Sequence, residues 1–275
     1  FPQISLETVF KKIEVEPASR LKPMIEYNES IETRSRENTI ENPCGNFSSQ
    51  YLCMCDYFGC QFKEEVCWDV DSIYFTHNIT ELSLVDFEHL DIKDLVPIIA
   101  ALSYNGWFTK FRASNVKIFN ISNHGANDLA HEIINLVKRS YVLEEIYLEN
   151  TGIKADFINK LFMGLITNGH SSLHTIDLSN NFIEDKGLKS LCGFIAKSCI
   201  SENSLLTNST NQLNKGFVSL NLSHTNITAK GVSEIAESLS LNKTIASTLT
   251  NLNLSGNILK DDVNVSYTFF KINIA

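Results

Sequence analysis

Cysteine is the first place where this sequence could do chemistry. Cys53, Cys55, Cys60 and Cys67 fall within fifteen residues, with Cys44 just upstream. Thiolates at that density could hold zinc or close disulfides. The Cys53-x-Cys55 and Cys55-x4-Cys60 spacings are not the CxxC pairs of a zinc site, so no metal site is assigned and free thiols are expected. A disulfide-bonded N-terminal cap is the alternative, and it would require an oxidising compartment. His170 and His174 with Asp177 imitate a metal set, but His170 reads as loop and His174 as strand, which keeps them apart. There is no glycine-rich phosphate loop, no GxSxG elbow and no HExxH, and the carboxylates read as solvent-facing rather than apolar and tuned. No catalytic residue and no cofactor is expected.

The chain has 275 residues, 43% of them hydrophobic and 20% charged, enough to build a core of ordinary size. Its net charge of −9 argues against nucleic acid, which needs clustered Lys and Arg, and favours protein partners. The longest apolar run, Leu95 to Leu102, is less than half of a membrane span. All five prolines lie at or before Pro97. Residues 1–50 mix prolines, charges and polar runs and read as a linker with one short helix near Leu6 to Val15.

From Ile79 onward the sequence repeats. Four clear copies begin at Leu143, Leu173, Phe217 and Leu249, as in Leu173-His-Thr-Ile-Asp-Leu-Ser-Asn-Asn-Phe-Ile183. Two weaker ones begin at Ile79 and Phe108. Each fits the leucine-rich repeat template, and the spacings of 29, 35, 30, 44 and 32 residues leave room for a strand and a full helix. The fold class is therefore α/β: a leucine-rich repeat solenoid of the long, ribonuclease-inhibitor-like kind, with a parallel concave sheet and convex helices, over residues 51–262. Asp156 to Ile166 and Thr228 to Leu239 have helical spacing, with Asp156 or Thr228 available as caps.

Strand alternation turns Ile146 and Leu148 inward and Tyr147 outward. Glu145, Tyr147, Glu149, His174, Asp177 and Asn221 should then stand side by side on the concave surface, the kind of face that solenoids offer to partners. Tyr147 amid acidic neighbours is the anchor candidate. Thr151, Asn181, Thr225 and Asn257 lie where the chain turns inward, so their side chains must bond backbone groups; these are structural positions. The ten Asn-x-Ser/Thr sequons are weak evidence for secretion, because Leu-Asn-Leu-Ser strands generate two of them.

Cys53 to Phe75 (CMCDYFGCQFKEEVCWDVDSIYF) and Asp94 to Phe111 (DLVPIIAALSYNGWFTKF) closely resemble the lead-in to the repeat domain of the CARMIL proteins, regulators of actin capping protein. The similarity runs from about Phe1, through Lys11 to Pro17, to about Asp262. It implies a non-enzymatic cytoplasmic scaffold at the leading edge and plasma membrane periphery. In such proteins a lipid-binding pleckstrin-homology-like domain precedes the array, and a dimerisation region and a capping-protein-binding tail follow it. Myosin-I is a further partner by resemblance. The capping-protein motif and dimerisation region are expected to lie outside these residues. Three stretches depart from the family pattern: an insertion at 198–213, a smaller one at Phe119 to Asn127, and a divergent tail at 263–275. The alternative function is an extracellular leucine-rich repeat receptor fragment with a disulfide cap.

Overall fold

A computed structural model of the chain describes residues 43–118, 125–197 and 217–259. The apolar alternation produces six short strands: β1 (Glu81–Ser83), β2 (Lys110–Arg112), β3 (Glu145–Tyr147), β4 (Thr175–Asp177), β5 (Ser219–Asn221) and β6 (Asn251–Asn253). They form one parallel sheet in chain order. The middle residues Leu82, Phe111, Ile146, Ile176, Leu220 and Leu252 align across it, and the first five are fully buried. This register reproduces the spacing of the sequence repeats, each strand beginning two residues after its repeat start. Ile79, read as the first apolar position, is instead 37% exposed, and its carbonyl accepts the Trp107 indole N–H.

Behind each strand the backbone must reverse, and one turn position has positive φ in five consecutive repeats: Asn115, Asn150, Asn180, His224 and Gly256. Asn tolerates this left-handed conformation and Gly adopts it without strain. At Gly256 space matters as well, since a Cβ would lie 2.2 Å from the His224 ring. The next position carries the polar turn residues. Asn181 Nδ2 donates to the carbonyls of Leu148, Leu178 and Ser179, while its Oδ1 accepts from Thr151 N–H, Thr151 Oγ1 and Gly152 N–H. Asn257 does the same for Thr225 and Ile227, and Thr225 Oγ1 donates to the Leu222 carbonyl.

Helices return the chain from one strand to the next: α3 (Ile92–Leu102), α4 (Gly125–Arg139), α5 (Ala155–Thr167), α6 (Glu184–Lys197) and α7 (Ala229–Leu241), with a short α8 at Lys243–Thr248. Thr228 caps α7, accepting from Lys230 N–H. Asp185 of the preceding repeat supplements it, accepting from Thr228 N–H at 2.8 Å and Thr228 Oγ1 at 2.6 Å. Asp156 does not cap α5. The N-cap is Lys154 and makes no side-chain bond, so Asp156 sits in the first turn, where a negative charge complements the helix dipole.

The first repeat is closed by α1 (Phe47–Phe58), α2 (Glu64–Trp68) and a π-helical turn, Asp69–Tyr74. Asn46 caps α1 by accepting from Ser49 N–H, and Gly59 ends it in the left-handed conformation. Phe47, Tyr51 and Cys55 form its buried face; Phe47 meets Phe108 edge-on at 5.6 Å, and Tyr51 meets Phe62 at 5.5 Å. Helix α3 is buried nearly all round, as a helix between a cap and a core must be. Its Pro97 has no N–H for the Lys93 carbonyl, which instead lies 3.7 Å from the Cys60 thiol. Thus α1 begins inside the stretch that the sequence suggests is linker. Residues 1–42, the insertion at 198–213 and the tail at 263–275 lie outside the described residues, as do residues 119–124 of the smaller insertion at 119–127, whose last three residues begin α4.

Candidate functional site

Strand alternation leaves two rows of side chains on the open face of the sheet. One row holds Glu81, Lys110, Glu145, Thr175, Ser219 and Asn251; the other holds Ser83, Arg112, Tyr147, Asp177, Asn221 and Asn253. Tyr147, Asp177 and Asn221 are register partners, and Glu145 shares a strand with Tyr147. Asp177 Oδ2 accepts from Asn221 Nδ2 at 2.9 Å, and its Oδ1 accepts from the N–H and hydroxyl of Ser179. Glu149 stands past the end of β3, accepting from Asn180 Nδ2. His174 precedes β4, with Nδ1 2.9 Å from Thr175 Oγ1.

Tyr147 is not surrounded by acid alone. The Arg112 guanidinium lies over its ring at 4.1 Å, a cation–π contact. Arg112 also forks onto Glu81, with Nε–Oε1 at 2.7 Å and Nη2–Oε2 at 3.2 Å. The Tyr147 hydroxyl donates to Glu145, whose other oxygen meets Lys110 at 2.9 Å. Glu81, Arg112, Tyr147, Glu145 and Lys110 therefore form one connected cluster spanning three strands. Glu81, Lys110 and Arg112 are not singled out in the sequence, because their repeats are the weak ones. Aligning their strand triplets with Glu145-Ile-Tyr147 would have placed them in the same two columns.

The cluster shifts its members' titration. Burial, then the bond to Glu145, pushes the Tyr147 hydroxyl up to about 12. Burial pushes the Glu145 carboxyl up, but the bonds from Tyr147 and Lys110 outweigh it and hold the group below its ordinary value. The Glu81 bond raises Arg112 further. The pairs are about one-third exposed, Arg112 at 34% and Glu81 at 30%, so they orient side chains more than they stabilise the fold.

Elsewhere, not every carboxylate is solvent-facing. Asp94 and Glu132 are buried, Asp94 near Lys63 at 3.8 Å and Glu132 accepting from Asn135. Among the described residues no group of three or more His, Cys, Asp or Glu is placed to hold a metal, and no helix is long and apolar enough to cross a membrane. Six cysteines are described, all as thiols: Cys44 and Cys53 exposed, Cys55 buried, and Cys60, Cys67 and Cys192 partly buried. The end of the array is covered by the packing of α1.

A parallel sheet whose strands repeat every 29 to 44 residues, with helices returning the chain between strands and a Thr or Asn bonding the turn after each of β3 to β6, defines a leucine-rich repeat protein. The model of the CARMIL family repeat domain matches residues 44–273, and the chain belongs to that family. It is 35% identical over 243 residues to the human "Capping protein, Arp2/3 and myosin-I linker protein 3", covering 87% of this chain and 16% of that protein. It is 30% identical over 230 residues to "Protein CARMIL" of Dictyostelium discoideum, covering 83% of this chain and 20% of that one. A Rho GTPase-activating protein of the same organism is 28% identical over 217 residues, 79% of this chain and 17% of the relative. The chain thus spans a fifth or less of the length of these relatives.

Proposed function

We propose that this chain is a non-enzymatic repeat scaffold from a regulator of actin capping protein and actin filament assembly, and that it docks a protein partner on the open face of its sheet. The family and the names of its relatives support the first part. The five-residue cluster around Tyr147 supports the second: an aromatic ring under a guanidinium, held by bonds from both sides, is a pre-ordered anchor that costs little entropy to engage. Following the relatives' names, the candidate partners are capping protein, Arp2/3 and myosin-I. We assign capping-protein binding to a family segment outside these residues, and membrane attachment to a pleckstrin-homology-like domain. The working location is the cytoplasm at the leading edge, near the plasma membrane and the actin cytoskeleton.

Calorimetry of this chain against purified capping protein, Arp2/3 complex and a myosin-I tail tests the reading. Binding is expected for Arp2/3 or myosin-I and not for capping protein, with Tyr147→Ala and Arg112→Glu each weakening it about tenfold or more, as central anchors do. Binding of capping protein alone, unaffected by both changes, would refute it.

A further inference from the structure

The two exposed cysteines among the described residues face one another. Cys44 Sγ and Cys53 Sγ lie 3.6 Å apart, and both residues are exposed. Their placement is built by the backbone. Cys44 sits in the left-handed region, φ 65°, in the turn before α1, and its carbonyl accepts from Asn46 N–H. The buried Gln50 holds the start of that turn by donating from Nε2 to the Pro43 carbonyl, while its Oε1 accepts from Asn105 Nδ2. Cys53 projects from the outer side of α1 beside the exposed Leu52 and Tyr57, away from the buried face formed by Phe47, Tyr51 and Cys55. The other four described thiols are less exposed: Cys55 is buried, Cys60 points to the carbonyls of Phe58 and Lys93, and Cys67 and Cys192 are partly buried.

We propose that Cys44 and Cys53 are a reversible disulfide-forming modification site, oxidised by a small-molecule disulfide such as oxidised glutathione. A disulfide needs the sulfurs about 2.05 Å apart, so the present separation of 3.6 Å leaves about 1.5 Å to close. One thiolate attacks a sulfur of oxidised glutathione, forming a mixed disulfide and releasing one glutathione thiolate. The second cysteine, as thiolate, attacks the protein sulfur of that mixed disulfide and releases the other glutathione. Cys44 and Cys53 together give up two protons and two electrons, and one oxidised glutathione becomes two reduced ones. The new bond staples the Pro43–Gly45 turn to the outside of α1.

The test is to equilibrate the chain in glutathione buffers from reducing to oxidising, quench with acid, alkylate, and map peptides by mass spectrometry. The expected product is a Cys44–Cys53 cross-link about 2 Da lighter than the dithiol. It removes two of the seven thiols and is reversed by excess reduced glutathione. Cys44→Ser and Cys53→Ser should each abolish the cross-link and leave a glutathione adduct on the surviving partner, while circular dichroism shows both variants folded. Retention of all seven thiols, glutathione adducts on wild type without the internal link, or links that instead involve Cys55, Cys60 or Cys67 would overturn the proposal.

Discussion

Two polar networks tie neighbouring repeats together, and they differ in burial. The turn network joins Thr151 to Asn181 and Thr225 to Asn257, with Thr151 and Thr225 fully buried. The face network joins Glu81, Arg112, Tyr147, Glu145 and Lys110 and remains partly in water. Inside, each missing partner would leave a desolvated donor or acceptor, so the turn network holds the stack together. On the face, water can replace a lost partner, so the same kinds of bond contribute little to stability and mainly orient the side chains. Burial, rather than the number of bonds, separates the scaffold's fastening from its proposed docking face.

The largest effect expected is on the turn. Asn181→Ala strips one partner from the Thr151 and Gly152 N–H groups and from three carbonyls, and should cost about 3 kcal/mol in urea unfolding. A loss near that of a surface substitution would erase the contrast between the networks. Next comes Gly256→Ala, which combines φ 69° with a collision against His224 and should cost about 1–2 kcal/mol. Adding His224→Ala should recover part of that loss, because it removes the collision but not the left-handed strain. A double variant no more stable than the single would assign the whole cost to backbone.

On the face, Arg112→Met should cost under about 1 kcal/mol of stability, while partner binding falls far more. The smallest effect is electrostatic. Glu145 titrates below its ordinary value when folded, so its contribution is fully present above the unfolded value, near 4.5, and is lost as pH falls through the folded one. The stability gap between the native chain and Glu145→Gln should therefore narrow as pH drops below about 4.5. In the same variant the Tyr147 hydroxyl, near 12 in the native chain, should titrate closer to 10. No movement of that titration would mean that Glu145 is not the partner holding the phenol neutral.

Much of the fastening was legible in the sequence, because apolar alternation and the Asn or Thr after each strand recur at fixed offsets in the clear repeats. The spacing of all six strands, including the weak pair at β1 and β2, was read correctly for the same reason. The left-handed turn column was not singled out: three Asn and a Gly, which favour that conformation, occupy it, but His224 interrupts the pattern. The proposed docking face was only half legible. Tyr147 and Glu145 stood out within a strong repeat, whereas Glu81, Lys110 and Arg112 lay in the two weaker repeats. Packing them against Tyr147 is a register property that emerges only when strands are aligned in space. The cap helix α1 escaped because its cysteines invited a chemical reading, while its function depends on Phe47, Tyr51 and the Asn46 cap.

The most direct test of the central claim is hydrogen–deuterium exchange of this chain with and without Arp2/3 complex and a myosin-I tail, the partners proposed for it. Protection confined to β2, β3 and β4 and their flanking turns, with α4 to α6 unchanged, is the predicted result. Protection of those helices with the strands unaltered would contradict it, and would move the docking site to the opposite side of the array.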